Sequence, residues 1–334
     1  ILTLRRHHPP SSDPARCRQE LRDELAMARD SLVAAAPEPE AGDLCIPATR
    51  HETAPETWAT MVKRGLEEVS DGELSKVVMA RVLSASFEGD MDPVVVVLIL
   101  WRENPWSHVL FFEPTPGQVL LGAAPETVAT VSGGIFAATA VAGSTPRGRN
   151  PEEEETLAAE LLNSEKQRRE HQVCVEDMVT RLSELSDHVE AQPEPHVLTL
   201  STIQHLETKI TAILHPNETV ISTLKALHPT PAVCGFPRDG ALGLLNKEEP
   251  FQRGWYAGPV GWFDNDGNGV FVPALRSAVG WGKEWRLFAG AGIVAGSDPE
   301  LEWAETRIKF QPVLKALSGA RPLTQMEAGE DPEL

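Results

Sequence analysis

Two turn signals between strand-like segments place the strongest local constraint on how this chain folds. Gly133-Gly134 separates segments 127–132 and 135–140, and the sequence DNDGNG at 264–269 separates segments 258–263 and 270–279. Glycine and asparagine tolerate the backbone conformations that tight turns between paired strands need. Each pair of segments is therefore predicted to form a β-hairpin.

Strand-like and helix-like segments alternate along the whole chain of 334 residues. Runs of apolar and β-branched residues predict further strands at 75–84, 110–113, 118–122, 197–213 and 285–294. Apolar residues at helical spacing, with proline, acidic or capping residues at several of the starts, predict helices at 17–35, 58–69, 152–185, 218–227 and 298–317. This alternation predicts a mixed α and β fold.

The formal net charge of −19 restricts the partners of the chain. Nucleic acids and anionic lipids are bound through clustered lysine and arginine, so neither is an expected partner. No apolar run approaches the roughly 20 residues that a membrane-spanning helix needs. A small anionic substrate is still compatible with this composition, because a bound divalent cation can supply local positive charge.

Cysteine usage and the N-terminus bear on the compartment. The four cysteines Cys17, Cys45, Cys174 and Cys234 are widely separated and form no CxxC pair. They are expected to be reduced thiols in a cytoplasmic protein. The first residues, ILTLRRHH, lack the long apolar centre of a signal peptide. The chain is expected to be a monomer.

Three glutamates are candidate metal ligands. Glu302 and Glu305 are three residues apart in the predicted C-terminal helix and share one face of it, and Glu170 lies beside Val173 and Cys174 in the long predicted helix. Magnesium favours hard carboxylate ligands of this kind. The alternative is that all three are solvated helix charges, and spacing alone favours that alternative.

A lysine and a glutamate are candidates for proton transfer. Lys76 lies in an apolar strand-like run, where burial would lower its pKa and make it a general base, or where it would face water at a sheet edge. Glu126 follows Pro125 at a turn between strands, as either a desolvated general acid or a surface residue. The glycine segments 141–144 and 289–292 are either close anion contacts or tight turns.

Eight segments in a fixed order carry a family resemblance over about residues 55–317. They are GELSKVVMAR (72–81), LLGAAPETV (120–128), AVAGSTPRG (140–148), LLNSEKQRREH (161–171), HPTPAVCGFP (228–237), GWYAGPVGW (254–262), ALRSA (274–278) and AGAGIVAGSDPELEWAETRIK (289–309). Together they resemble the chorismate-utilising enzymes, which include isochorismate, salicylate, anthranilate and aminodeoxychorismate synthases.

This resemblance implies an α+β fold like that of anthranilate synthase component I, with two large antiparallel sheets packed face to face and helices outside. The catalytic domain would span residues 51–318. Residues 1–50 would be an N-terminal segment of the same domain, and 319–334 an acidic, disordered tail. The segment before residue 55 looks different from that of many relatives.

The resemblance also assigns roles to individual residues. It implies a Mg²⁺ ion held by Glu170 and Glu305, with Glu302 close by, and chorismate as the substrate. The substrate-binding positions would be Arg276 and Lys309, the backbone of Gly143 and Gly290, and Ser144, His205, Tyr256 and Leu275. Ala140, Ser144, Thr145 and Gln167 depart from the usual residues of the family at their positions.

Lys76 decides the branch of the family, since this position looks like glutamine in members that use ammonia and lysine in those that use water. The resemblance therefore implies an isochorismate synthase without an amidotransferase subunit. Lys76 would be the base for attack of water at C2, and Glu126 the acid for loss of the C4 hydroxyl. The product would feed menaquinone or siderophore biosynthesis. The alternatives are a salicylate synthase, which goes on to eliminate pyruvate, and a non-catalytic chorismate-binding relative.

Overall fold

The computed structural model describes residues 47–320 and seven positions between 16 and 27. The predicted tail beyond residue 320, Cys17, Cys45 and most of the predicted helix 17–35 lie outside the described residues. Within 47–320 the helices are α1 (Pro55–Ser70), α2 (Pro93–Glu103), α3 (Pro151–Asn163), α4 (Glu165–Leu182), α5 (Val220–Leu227), α6 (Arg238–Glu248) and α7 (Pro299–Gly319).

The strands of residues 47–320 alternate with these helices. They are β1 (Ala48–His51), β2 (Lys76–Ser86), β3 (His108–Thr115), β4 (Gln118–Ala124), β5 (Ala129–Ser132), β6 (Ile135–Pro146), β7 (Ser186–Ala191), β8 (His196–Thr199), β9 (Ile203–Leu214), β10 (Gly235–Phe236), β11 (Pro259–Phe263), β12 (Gly269–Pro273), β13 (Ser277–Trp281) and β14 (Glu284–Ile293).

These strands form two antiparallel sheets. The first has the order β1-β2-β14-β13-β4-β3, with β10 added on β2, and the second has the order β11-β12-β5-β6-β9-β7, with β8 added on β9. Both predicted hairpins are present, as β5 with β6 and as β11 with β12. The predicted fold class, α+β with two large antiparallel sheets, is therefore confirmed.

The central strand β2 of the first sheet is buried on both faces, as its run of buried residues shows. Val77 and Met79 point to one face and pack against α1 and α6. Ala80 and Val82 point to the other face and pack with Phe288. Because side chains alternate along a strand, Lys76 and Val78 share the face of Ala80 and Val82.

The two sheets contact each other through a small apolar cluster. Leu110 of β3 and Leu120 of β4 pack there with Val272 of β12. A larger cluster covers the second sheet, where α4 and α5 pack on β5, β6 and β9 around Phe136 and Met178. The space between the sheets beyond the small cluster is where the polar residues of the chain converge.

Two predicted elements are each divided in the structure. The predicted helix 152–185 is wrong as one helix: α3 ends at Asn163 and α4 begins at Glu165, because Ser164 is extended and its hydroxyl accepts a hydrogen bond from the Gln167 N–H. Serine favours this capping role over a helix interior. The predicted strand 197–213 is instead the hairpin of β8 and β9, which turns at 200–202.

A third correction concerns the predicted strand 270–279. This segment is two strands in different sheets: β12 belongs to the second sheet and β13 to the first. Between them Arg276 has a positive φ of 48°, which ends the extended conformation. Gly122 allows this crossing, since a Cβ there would lie 2.9 Å from the carbonyl oxygen of Arg276. Leu275 and Arg276 are thus brought between the two sheets.

Arg81 ties α7 to β2. Its guanidinium is fully buried, donates to the Thr306 hydroxyl at 2.7 Å and to the Trp303 carbonyl at 3.3 Å, and lies 3.5 Å from the centre of the Trp303 ring. Among the described residues, no carboxylate forms an ion pair with it. Burial lowers the pKa of Arg81 to about 9, so it stays charged at neutral pH.

The described cysteines and helices bear on two further expectations from the sequence. Cys174 and Cys234 are buried free thiols, as expected of reduced cysteines. No helix of the described residues is long and apolar enough to cross a membrane.

The N-terminal cap of α7 gives a testable prediction. The Asp298 carboxylate accepts hydrogen bonds from the N–H groups of Glu300 and Leu301 at 2.9 and 3.1 Å. We expect Asp298→Ala to lower the free energy of unfolding by about 1 kcal/mol, because two helix N–H groups lose their partner. Asp298→Asn keeps an acceptor and is the control. Urea denaturation measures both, and equal losses in the two variants would contradict the capping role.

Candidate active site

Most of the predicted site residues line one cleft between the two sheets. The cleft is lined by Glu126, Gly143, Ser144, Glu170, His205, Leu275, Arg276, Gly290 and Lys309, among other residues. The other four predicted residues adjoin it: Lys76 contacts Glu170, Tyr256 adjoins Gly290, Glu305 contacts Lys309, and Glu302 lies one helical turn before Glu305. The structure therefore brings together all the residues that the sequence assigned to the site.

Lys76 lies at the start of β2 with only 1% of its side chain exposed. Its ammonium is 3.1 Å from a carboxylate oxygen of Glu170 and donates to the sulfur of Cys174 at 3.4 Å. Burial disfavours the ammonium, but the neighbouring Cys174 and Glu170 outweigh burial and raise the pKa of Lys76 above its ordinary value. In this arrangement Lys76 is a cation.

Gly292 lies in the glycine segment 289–292 but is not among the predicted site residues. A Cβ at this position would lie 2.0 Å from Glu170 Oε1 and 2.9 Å from Lys76 Cε. Any side chain there would displace the ion pair. A signal was present in the sequence, since Gly290 and Gly292 are two apart in a strand and therefore lie on the same face.

Glu302 and Glu305 of α7 each have their own ammonium partner. Lys166 Nζ lies 2.5 Å from Glu302, and Lys309 Nζ lies 2.5 Å from Glu305. Burial, and then repulsion from Glu305, raise the pKa of Glu302 to about 7. Burial also disfavours the charged form of Glu305, but Lys309 and Lys166 outweigh it and lower the pKa of Glu305.

The donor chemistry of this cluster fits a hard divalent cation. In residues 47–320 no three histidine, cysteine, aspartate or glutamate side chains are already arranged as metal ligands. However, Glu170, Glu302 and Glu305 are carboxylates, the ligand type that Mg²⁺ prefers. Each of them is paired with a lysine ammonium, which supplies the positive charge that a metal ion could supply. Repulsion between Glu302 and Glu305 is the interaction that a cation between them would relieve.

Glu126 is a buried acid that faces several cations. It is 5% exposed, and none of the described residues forms a hydrogen bond with its carboxyl group. Burial raises the pKa of Glu126 to about 7, although Arg276, Lys76 and Lys309 act in the opposite direction. A substantial fraction of Glu126 is therefore protonated near neutral pH and available to donate a proton.

A β-bulge shapes the opposite wall of the cleft. The pairing of β6 with β9 shifts between Ala142 and Ser144, and Gly143 adopts a positive φ of 77° there. The Gln167 side-chain oxygen accepts a hydrogen bond from the Ser144 N–H at 2.9 Å, and it fixes the bulge from α4. Gln167, one of the positions that depart from the pattern of the resembled family, thus holds the backbone of the bulge in this structure.

His205 connects the bulge to Arg276. Arg276 donates to His205 Nε2 at 2.8 Å, so the ring proton is on Nδ1, which lies 3.1 Å from the Gly143 carbonyl and 3.0 Å from the Ser144 hydroxyl. Burial, with Arg276 and Lys309 nearby, lowers the pKa of His205 well below its ordinary value. The ring is therefore neutral and orients the guanidinium.

The floor of the cleft is formed by the inner face of β14. Lys309 donates to the Gly290 carbonyl at 2.9 Å. A Cβ at Gly290 would lie 3.0 Å from the Tyr256 hydroxyl, so glycine permits Tyr256 to approach the strand. The Tyr256 ring stacks on Phe288 at 5.2 Å, and burial raises the pKa of Tyr256 to about 12.

Comparisons with known proteins identify the family. A sequence model described as chorismate binding enzyme matches residues 1–318. The chain belongs to the chorismate-binding enzyme family. It is 34% identical over 279 residues to the isochorismate synthase MenF of Bacillus subtilis, an alignment that covers 84% of this chain and 59% of the relative. The chain therefore spans less than two thirds of that relative's length.

Solved structures agree with this family and with the fold. The menaquinone-specific isochorismate synthase MenF of Escherichia coli is 29% identical with a TM-score of 0.75, and the match covers 89% of this chain and 69% of that one. Anthranilate synthase component I of Streptococcus pneumoniae is 25% identical with a TM-score of 0.73, covering 91% and 67%. The likeness to anthranilate synthase component I that the sequence implied is confirmed for the fold.

Gly292 gives a prediction that does not depend on any reaction. We expect Gly292→Ala to lower the free energy of unfolding by about 2 kcal/mol or more, because the new methyl group displaces the buried Lys76–Glu170 pair. Gly243→Ala is the control: it lies in α6 with nothing within 4 Å of its Cβ position, and should leave stability unchanged or raise it. Guanidinium denaturation measures both, and a neutral Gly292→Ala would contradict the close approach.

Proposed function

We propose that this chorismate-binding enzyme adds water to chorismate at C2 with loss of the C4 hydroxyl, giving isochorismate. The observation that carries the proposal is the presence of Lys76 and Glu126 in one buried site beside Arg276 and Lys309. This set combines a candidate base, a candidate acid and two cations for an anionic substrate. The names of the similar synthases support the same activity.

Glu126 is the proposed general acid. A carboxyl group with a pKa of about 7 matches the pH at which it must donate, and such matching favours proton transfer in the transition state. Because no described residue hydrogen-bonds the Glu126 carboxyl, it can turn to the leaving hydroxyl without breaking an existing contact. Protonation of that hydroxyl converts it to water, a far better leaving group.

Lys76 is the proposed general base, and its surroundings set a condition on that role. Burial lowers its pKa, whereas Cys174 and the Glu170 carboxylate raise it. Lys76 therefore becomes neutral only when the charge of Glu170 is directed to another cation. A neutral amine held at the cleft wall can accept the proton of the attacking water. Lysine in place of glutamine favours water over ammonia, so no amidotransferase subunit is proposed.

Arg276 and Lys309 are the proposed contacts for the two carboxylates of chorismate. His205 accepts one hydrogen bond from Arg276, so the other N–H donors of the Arg276 guanidinium remain for the substrate. The Gly143 and Gly290 backbone, with Ser144, would surround the same ligand, and Leu275 and Tyr256 would supply apolar wall. Desolvated cations in a narrow cleft bind a dianion more strongly than they would in water.

Glu170 and Glu305 are the proposed holders of Mg²⁺, with Glu302 close by. When bound, Mg²⁺ would draw electron density from the ring toward its carboxylate and so ease departure of the C4 hydroxyl. The assignment of Mg²⁺ is proposed from the donor chemistry of these residues and from membership of the family.

We further propose that the protein is a monomeric cytoplasmic enzyme with its catalytic residues in 51–318. Its product would feed menaquinone or siderophore biosynthesis. The predicted segment 1–50 and tail 319–334 stay predictions.

Product analysis tests the reaction. Purified protein is incubated with chorismate and Mg²⁺, with and without a chelator, and the products are resolved by liquid chromatography. We expect isochorismate only with Mg²⁺, and neither salicylate nor pyruvate. Salicylate with an equal amount of pyruvate would support the salicylate synthase alternative. Unchanged chorismate that still binds would support the non-catalytic alternative.

Substitution of Glu126 tests the acid. We expect Glu126→Gln to lower kcat about 10²- to 10⁴-fold while chorismate affinity changes little, because the amide keeps the shape but cannot donate the proton. Glu113→Gln, at an exposed position of β3, is the control for this substitution. A Glu126→Gln enzyme of normal rate would exclude the proposed role.

The pH dependence of the unsubstituted enzyme tests the same role. We expect kcat/KM to fall as the pH rises through about 7, since Glu126, with its raised pKa, loses its proton there.

A further inference from the structure

Three lysines neutralise the three carboxylates of the proposed cation site, and they differ in their access to solvent. The pairs are Lys76 with Glu170, Lys166 with Glu302 and Lys309 with Glu305. The exposed fraction of the lysine side chain is 1% for Lys76, 12% for Lys309 and 24% for Lys166. Lys166 is thus the most exposed of the three.

Further contacts hold Lys76 and Lys309 in the site but not Lys166. Lys76 also contacts Cys174, and Lys309 also donates to the Gly290 carbonyl. Among the described residues, the Lys166 ammonium contacts only Glu302, and it does so from the first turn of α4, just after the break at Ser164. Its charge nevertheless acts on all three carboxylates, since Glu302, Glu170 and Glu305 each favour its protonated form.

We propose that Lys166 is an exchangeable counterion, whose ammonium neutralises Glu302 in the metal-free protein and is displaced to solvent when a divalent cation binds. The proposal rests on the cation site of the proposed function. The four-carbon stem of lysine lets the ammonium reach water without movement of the helix. Glu302, 2% exposed, would otherwise be left as a buried charge without a partner in the metal-free state.

An exchangeable counterion has a distinctive consequence: it competes with the metal. Removing the Lys166 charge should tighten cation binding, whereas removing a ligand or damaging the site should weaken it. The direction of the change therefore separates this role from a purely structural one. Removal should also lower the thermal stability of the metal-free protein, and saturating metal should restore it.

Cation binding to the substrate-free full chain tests the proposal. The probe is Mn²⁺, a hard cation suited to carboxylate ligands, measured through the electron paramagnetic resonance signal of the free ion, and Mg²⁺ is measured by competition. We expect Lys166→Met to bind about tenfold more tightly than the unsubstituted chain. Lys63→Met removes an exposed charge of α1, and Lys166→Arg retains the charge; both should stay within about twofold of the unsubstituted chain.

Weaker or unchanged binding by Lys166→Met would overturn the proposal, as would equal tightening by Lys63→Met or Lys166→Arg. If Lys166→Met folds poorly without metal, Lys166→Gln takes its place, and a melting temperature that metal does not restore also overturns the proposal. Absence of Mn²⁺ and Mg²⁺ binding to the unsubstituted chain would overturn it too. Chorismate turnover measured in parallel shows whether the proposed reaction stands independently.

Discussion

The structure depends on pairing each of a set of buried charges with a charge of opposite sign. The set joins three elements that are distant in sequence: Lys76 from β2, Glu170 and Lys166 from α4, and Glu302, Glu305 and Lys309 from α7. Breaking one such pair leaves an uncompensated charge and destabilises a fold by several kcal/mol. The positions of β2, α4 and α7 are therefore coupled, and Arg81 adds a direct link between β2 and α7.

Small residues decide where these long side chains can meet. Gly290 and Gly292 leave one face of β14 bare, and Glu170, Lys76 and Tyr256 occupy the space that side chains would fill. Gly122 likewise leaves space for the backbone of Leu275 and Arg276, where the chain crosses from β12 to β13. The cleft is thus made by backbone that side chains can approach closely, between sheets that are otherwise well packed.

Burial acts on the titratable groups of the cleft in a consistent direction. It disfavours charge, so it keeps Glu126 partly protonated and His205 neutral near pH 7. Arg276 stays cationic near pH 7 although burial lowers its pKa, because the ordinary pKa of a guanidinium is very high. The same dry environment therefore yields an acid, a neutral acceptor and a permanent cation. At Lys76 and Glu305 the neighbouring charges outweigh burial, so their pKa values shift in the opposite direction.

The sequence determined the fold family and the membership of the site. The ordered motifs predicted that Lys76, Glu126, Glu170 and Arg276 belong to one site, and the turn signals predicted both hairpins correctly. Both predictions succeeded because turn chemistry and motif order can be read directly from the sequence. Prediction from the local pattern was wrong where the structure divides one continuous segment into two elements. The apolar run 270–279 is continuous in sequence, yet β12 and β13 pair in different sheets, and pairing partners are not encoded in periodicity.

Only the tertiary structure decided the states of the site residues. Nothing local in the sequence shows that Glu170 and Lys76 fill the space beside Gly292, that Lys166 neutralises Glu302, or that Gln167 holds the bulge at Ser144. Each of these depends on a contact between residues at least 23 positions apart. Spacing alone favoured solvated glutamates, and burial against opposite charges made them a site, because the energy of a charge is set by its three-dimensional surroundings.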